Sequence, residues 1–192
     1  SMTFNDLGLN KLLLKAIAEQ GYEKPTPIQE QAIPVILQRK DVLAGAQTGT
    51  GKTAGFTLPM LELLLRSKQQ DSKHHVKALV LTPTRELASQ VQDNIYNYAK
   101  HTPYKSTVIF GGVKINPQIV ALRKGIDIVV ATPGRLLDHI SQKTINLSKV
   151  DFLILDEADR MLDMGFVNDI KKIMEVLPKE RQTLLFSATY SE

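Results

Sequence analysis

Short runs of Val, Ile and Leu alternate along the chain with longer stretches in which apolar residues recur every three or four positions. The short runs are Asp41–Ala46, Lys77–Thr82, Thr107–Phe110, Ile126–Ala131, Phe152–Asp156 and Thr183–Ser187. They hold few interposed polar residues, which predicts strands buried on both faces, as in a parallel sheet. The helical pattern fills the gaps, over Asn10–Gln20, Pro27–Gln38, Lys52–Leu65, Arg85–Lys100, Pro117–Lys124, Gly134–Gln142 and Val167–Leu177. In the first of these, Leu13 and Ile17 give an apolar face, and Gln20-Gly21 gives a stop. Polar Ser67–His75 reads as a surface loop. The alternation predicts an α/β domain: a doubly wound, mostly parallel sheet flanked by helices on both faces, with right-handed crossovers.

Ligands of such sheets bind outside the carboxyl ends of the strands, and the chemically distinctive segments fall there. Ala46–Thr53 follows the first strand, Pro83-Thr84-Arg85 the second, Gly111-Gly112 the third and Thr132-Pro133-Gly134-Arg135 the fourth. Asp156 and Glu157 end the fifth strand, and Ser187-Ala188-Thr189 ends the sixth.

The segment Ala46-Gln47-Thr48-Gly49-Thr50-Gly51-Lys52-Thr53 reads as a phosphate-binding loop, with small Ala46 where the usual pattern has Gly. Gly49 and Gly51 permit the tight turn and the close approach of backbone N–H groups to phosphate oxygens, and the following helix adds its positive end. Lys52 can reach the β- and γ-phosphates of a nucleoside triphosphate, and the Thr53 hydroxyl can bind Mg²⁺. The apolar strand Phe152–Leu155 delivers Asp156 to the Mg²⁺ side, and Glu157 can orient or deprotonate an attacking water. Thr53, Asp156 and Glu157 are therefore the candidate metal ligands. Taken alone, two acids at a strand end equally make solvated charges or helix caps. Beside a phosphate loop they point to an ATPase-type site.

Composition bounds these readings without changing them. A chain of 192 residues, 43% hydrophobic, is long enough for one domain with a full core. The net charge of +4 is compatible with a polyanionic partner and equally with a solvated basic surface. There is no Cys, which excludes disulfides and thiolate metal sites and fits a reducing compartment. No apolar run approaches the ~20 residues that span a bilayer, and no signal peptide is visible. The expectation is a cytoplasmic protein with no membrane partner.

The ordered motifs resemble those of the DEAD-box ATP-dependent RNA helicases. Asp156-Glu157-Ala158-Asp159 is similar to the box that names that family; Pro83–Ala88, Gly111-Gly112, Thr132–Arg135 and Ser187–Thr189 match in order. Gly21–Gln29 resembles the family's adenine-recognition motif, with Phe4 as its isolated upstream aromatic, and Phe110–Gln118 resembles the bacterial RhlE-like branch. The resemblance covers essentially the whole chain and implies a single N-terminal RecA-like domain over residues 1–192. It implies ATP and Mg²⁺ as cofactors, with Phe4, Tyr22, Lys24, Thr26 and Gln29 at the adenine. The Gln29 amide can read both donor and acceptor edges of the base, and the Tyr22 ring can stack on it. From the residues alone, Tyr22 reads instead as a core aromatic and Gln29 as a surface polar residue.

The resemblance further implies that Pro83, Thr84, Arg85, Gly111, Gly112, Thr132, Pro133, Gly134 and Arg135 hold an RNA strand through its sugar-phosphate backbone, with little sequence specificity. Surface salt bridges are the plainer reading of the two arginines. Lys52, Asp156, Glu157, Asp159, Ser187 and Thr189 take the catalytic and coupling roles, although Ser187 and Thr189 also suit a strand-end cap. The family's core has a second, C-terminal RecA-like domain that supplies an arginine finger. With the chain stopping three residues after Thr189, the expectation is a domain that binds nucleotide but hydrolyses it very slowly.

Overall fold

A computed structural model describes residues 2–45, 51–67 and 75–187. One sheet of six strands, all parallel, has the order β1-β6-β5-β2-β4-β3. The strands are β1 (Val42–Gly45), β2 (Ala78–Leu81), β3 (Ser106–Ile109), β4 (Ile128–Ala131), β5 (Phe152–Asp156) and β6 (Gln182–Ser187). The helices are α1 (Lys11–Glu19), α2 (Pro27–Leu37), α3 (Lys52–Ser67), α4 (Arg85–Ala99), α5 (Asn116–Arg123), α6 (Pro133–Ser141), α7 (Ala158–Asp163) and α8 (Val167–Val176). A 3₁₀ turn, Phe4–Leu7, precedes them. The architecture is the α/β, RecA-like one that the hydrophobic pattern and the motifs lead to.

Both faces of the central strands β2, β4 and β5 are buried, which explains why their sequences scarcely alternate. At the edge, β1 has no fully buried residue and Leu43 is exposed, so the expectation of two buried faces fails there. Ala78 and Val80 of β2, Ile128 and Val130 of β4, and Phe152 and Ile154 of β5 enter one core with α1–α4. Their neighbours Leu79, Leu81, Val129, Ala131, Leu153 and Leu155 enter the other, with α6–α8. Side chains change faces at every residue, so each central strand needs an unbroken apolar run to serve two cores.

Several helices begin at the motif residues. Thr26 and Gln29 form a reciprocal capping box on α2: Thr26 N–H donates to Gln29 Oε1 at 3.0 Å and Gln29 N–H to Thr26 Oγ1 at 3.4 Å. Pro27 occupies the first turn, where its missing N–H costs nothing. Thr84 caps α4 by accepting from Leu87 N–H at 3.2 Å.

Two details depart from the sequence reading. Ser67 is the last residue of α3 and His75 is buried, so the segment Ser67–His75 is not loop surface at either end; residues 68–74 lie outside the described residues. The six-residue helix α7 takes up the chain immediately after the acid pair, beginning at Ala158-Asp159. It is too short to show a helical period, and the sequence pattern gives no sign of it.

Phe186 packs on Phe56 of α3 with ring centroids 5.3 Å apart, and it stands beside Asp156 in the β5–β6 register. Phe186→Ala is expected to lower stability by about 3–5 kcal/mol, whereas Tyr96→Ala on the exposed face of α4 should change it by less than about 0.5 kcal/mol. Urea unfolding of the two variants checks this.

Candidate active site

The parallel register puts all six carboxyl ends on one edge. Gly45 pairs with Ser187, Asp156 with Phe186, Leu81 with both Leu155 and Ala131, and Ala131 with Ile109. The strand order sorts the segments beyond those ends. The phosphate loop, Ser187 and the acid pair belong to β1, β6 and β5; Pro83–Arg85, Thr132–Arg135 and Gly111-Gly112 belong to β2, β4 and β3. The edge therefore has a half carrying the segments that resemble a nucleotide site and a half carrying the segments that resemble RNA contacts.

In the first half, β5 is internal and every one of its residues is buried, so it carries Asp156 into the interior. The chain then turns through Glu157, whose φ of 57° and ψ of 52° lie in the left-handed region. A non-glycine residue there carries strain of ~1–3 kcal/mol and persists only where its surroundings hold it. Glu157 stands at the N-cap of α7, yet its side chain makes no capping hydrogen bond. Its carboxylate instead faces Lys52 Nζ at 3.8 Å and Arg160 at 3.7 Å.

Lys52 opens α3 and is buried. Its ammonium lies 2.8 Å from Asp156 Oδ1. The contact is a close buried ion pair in which the ammonium is not well aligned with that oxygen. Burial is the main influence on the Asp156 carboxyl and pushes its pKa up; the Lys52 charge works against this. A buried carboxylate whose oxygen is only poorly satisfied by the ammonium, with the Thr53 hydroxyl next in the chain to Lys52, is a fitting donor set for a hard cation. Mg²⁺ takes few protein ligands and completes its shell with water and phosphate. Among the described residues no cluster of three His, Cys, Asp or Glu could form an all-protein cage.

Lys52, Thr53, Asp156 and Glu157 line a cleft of about 590 Å³ together with Tyr22, Lys24, Thr26, Gln29 and Gly51. Tyr22 is 54% exposed, so its ring is open to a ligand, whereas Gln29 is only 6% exposed. The Gln29 amide joins two motifs: its oxygen caps α2, and Nε2 donates to Gly51 O at 3.1 Å. Gly51 has φ +79°, and a Cβ there would lie 2.6 Å from Thr26 Oγ1 and 2.8 Å from Gln29 Nε2. Only glycine fits that approach. Phe4 does not line the cleft; it is buried in the core beside α1–α3. Ala46, Gln47, Thr48, Gly49, Thr50 and Thr189 lie outside the described residues. Ser187 is buried at the end of β6, and Asp159 is half-buried in the first turn of α7.

In the second half, Arg85 is exposed and its guanidinium sits 5.2 Å from the centroid of the Phe110 ring. A Cβ on Gly112 would meet Arg85 Nη1 at 3.0 Å, so glycine keeps the loop and the arginine close. Arg135 is placed differently. Its side chain is 13% exposed, faces Asp138 at 3.5 Å, and donates to Val113 O at 2.8 Å and to Gln118 Oε1 at 3.2 Å. The N-termini of α4 and α6 both open on this edge, at Thr84 and Thr132.

Two groups at the site escape the motif reading. One face of α4, with Leu87, Gln90, Val91, Asn94 and Tyr98, forms a further wall of the cleft. Its three- and four-residue spacing is visible in the sequence but looks like an ordinary amphipathic helix. The other group is Gln118 and His139, buried polar residues in the second half. His139 falls on the otherwise apolar stripe of α6 with Leu136 and Ile140, which was the available signal.

Residues 26–192 match the DEAD/DEAH box helicase family. The chain is 48% identical over 190 residues to the DEAD-box ATP-dependent RNA helicase RhpA of Helicobacter pylori (strain B128), 99% of this chain and 37% of that protein. It is 49% identical over 188 residues to the ATP-dependent RNA helicase CshA of Limosilactobacillus reuteri, 98% of this chain and 37% of that protein. To the DEAD-box ATP-dependent RNA helicase CshA of Bacillus cereus (strain ATCC 10987 / NRS 248) it is 50% identical over 187 residues, 97% of this chain and 35% of that protein. The chain thus spans little more than a third of the length of these relatives.

The Asp156 environment has a consequence for stability. Because its folded-state pKa is raised, the protonated carboxyl is tolerated and the ionised one is penalised, so its contribution falls as pH rises above the ordinary value of 3.8. Asp156→Asn should therefore gain stability relative to the unsubstituted protein on going from acid towards neutral pH. Urea unfolding of both proteins across that range gives the difference, which is expected to shrink towards acid.

Proposed function

The chain belongs to the DEAD/DEAH box helicase family, and on that premise we propose that it is the ATP-binding RecA-like domain of an ATP-dependent RNA helicase. The observation that supports this most is the single cleft in which Gln29, Lys52, Asp156 and Glu157 meet, with Lys52 held 2.8 Å from Asp156.

In this reading adenine stacks on Tyr22 and is read by the Gln29 amide, with Lys24 and Thr26 beside it. Each end of that amide is engaged once within the protein and keeps one further N–H or lone pair for the base. The backbone of Ala46–Gly51 cradles the phosphates. Lys52 exchanges Asp156 for the β- and γ-phosphate oxygens as the triphosphate enters, which frees the buried carboxylate to face a cation. Asp156 and Thr53, with Glu157 close by, would hold Mg²⁺, which when bound neutralises phosphate charge in the transition state. Glu157, strained and not used in capping, orients the attacking water and takes up its proton. Asp159, Ser187 and Thr189 relay the state of the nucleotide to the RNA half of the edge. Phe4 supports the adenine segment from the core.

RNA lies along the second half. Arg85, the glycines of the Gly111-Gly112 loop, and the positive N-termini of α4 and α6 suit phosphate, and the net charge of +4 favours a polyanion. None of these groups reads bases, so binding has little sequence dependence and serves local duplex unwinding or remodelling of RNA–protein complexes. A second RecA-like domain, within the length by which the relatives exceed this chain, completes the cleft with an arginine. Turnover by these 192 residues alone is then slow, and a fast RNA-stimulated rate from them in a steady-state assay would contradict this part. No described helix is long and apolar enough to cross a membrane.

Lys52→Ala should weaken ATP at least about tenfold, from the loss of a charged hydrogen-bond donor, and leave adenosine unaffected. Calorimetry showing equal losses for both ligands would count against the assigned role. Gln29→Ala should narrow the preference for ATP over GTP, read as the ratio of the two dissociation constants; an unchanged ratio would remove Gln29 from base recognition.

A further inference from the structure

The Gly111-Gly112 loop lies on the second half of the edge, after β3. Gly111 has open space where a side chain would stand, and Gly112 is in the left-handed region at φ +80°. Two adjacent glycines leave a backbone with many conformations to lose on binding. Its flanking carbonyls are both tied down by side chains from neighbouring helices. Gln118 of α5 donates from Nε2 to Phe110 O at 2.9 Å, and Arg135 of α6 donates from Nη2 to Val113 O at 2.8 Å.

The two tethers share one atom. Gln118 Oε1 accepts from Arg135 Nη1 at 3.2 Å and meets His139 Nε2 at 3.0 Å. With Gln118 Nε2 engaged at Phe110 O, Oε1 is the acceptor, so the His139 proton sits on Nε2. Nδ1 then lies 2.7 Å from the Thr144 hydroxyl, which has the His139 carbonyl as a second acceptor at 3.2 Å. Burial, with the Arg135 charge behind it, pushes the His139 pKa down and keeps this neutral form. Gln118 is 9% exposed and His139 0%, so the hub is shielded from water that could replace it. Removing it would leave the buried His139 Nε2 and the half-buried Phe110 O and Arg135 Nη1 without this partner.

We propose that Gln118 is a positioning residue for RNA binding: with Arg135 and His139 it fixes the Gly111-Gly112 loop against the Thr132–Arg135 turn, and Arg85 rather than Arg135 meets the phosphate. This rests on the RNA reading above. It divides two arginines that the motif resemblance treats alike. Arg135 directs its guanidinium to Gln118, Val113 and Asp138, whereas Arg85 is exposed over the Phe110 ring, whose carbonyl the hub holds.

Salt dependence separates the two roles, because only a residue that neutralises phosphate releases counterions. The test is the affinity of the full chain for a single-stranded oligouridylate, with a non-hydrolysable ATP analogue and Mg²⁺ present, over a series of salt concentrations. Arg85→Gln should weaken binding and flatten the slope of log K against log salt by about 0.7. Gln118→Leu should weaken binding roughly tenfold with the slope unchanged and the affinity for the ATP analogue unchanged. RNA affinity within about twofold of the unsubstituted chain, a slope flattened as in Arg85→Gln, or a parallel loss of analogue binding would overturn the proposal. Should Gln118→Leu not fold, the near-isosteric Gln118→Met decides the matter. It adds no charge and loses the donor to Phe110 O and the amide acceptor for Arg135 and His139, so the same loss at the same slope is expected, and an unaltered affinity overturns it. Failure of the unsubstituted chain to bind RNA at low salt would remove the RNA reading itself, a result distinct from any of these.

Discussion

Six parallel strands in register end on one edge, and everything chemical in this protein depends on that alignment. Parallel pairing fixes which residue neighbours which, so the last residues of the six strands, Gly45, Ser187, Asp156, Leu81, Ala131 and Ile109, fall within about two positions of one another at one edge of the sheet. Loops leaving such an edge must converge. The order β1-β6-β5-β2-β4-β3 then decides which loops are neighbours. It brings the acid pair beside the phosphate-loop strand through β6, far apart as the two segments are in the chain. It also groups the arginine- and glycine-bearing segments on the far side. Because β5 sits between β6 and β2, the acid pair stands at the boundary of the two groups.

The two halves of the edge are built on different physics. The nucleotide half stores unfavourable electrostatics: a buried carboxylate with a raised pKa, an ammonium beside it that is not well aligned with its oxygen, and a strained glutamate. Such a site gains when a polyanion and a cation arrive together, since each takes the partner the other leaves. The second half stores no comparable strain. Its glycine-rich loop is braced by neutral and charged hydrogen bonds through Gln118, and its exposed cation is propped on an aromatic ring. A surface braced in this way binds a repeating backbone without rearrangement, which suits a ligand recognised by its phosphates.

Much of this was legible in the sequence. The strands were readable because the unbroken apolar runs of β2, β4 and β5 have no other use than facing two cores. That Lys52, Thr53, Asp156 and Glu157 meet in one cleft was foreshadowed by their positions just beyond the ends of β1 and β5. The acidic helix α7 was not legible: six residues cannot display a period of 3.6. Nor were Gln118 and His139, because a polar residue that satisfies other polar residues has no motif of its own. Burial and partners, which only the fold supplies, distinguish them from surface amides and imidazoles. The same limit applies to Arg135, whose identity resembles a phosphate ligand and whose contacts make it a strut. Phe4 is a further case, an aromatic whose resemblance points to the adenine and whose side chain packs in the core.

The central claim is that one buried ion pair, Lys52 with Asp156, is opened by ATP and Mg²⁺ at the nucleotide half of the edge. A crystal structure of the chain with a non-hydrolysable ATP analogue and Mg²⁺ tests it most directly. The expected result has the Lys52 ammonium on the phosphate oxygens, the Asp156 carboxylate turned to the metal and the base against Tyr22 and Gln29. A nucleotide bound elsewhere, or one bound in the cleft with Lys52 still on Asp156, would contradict it.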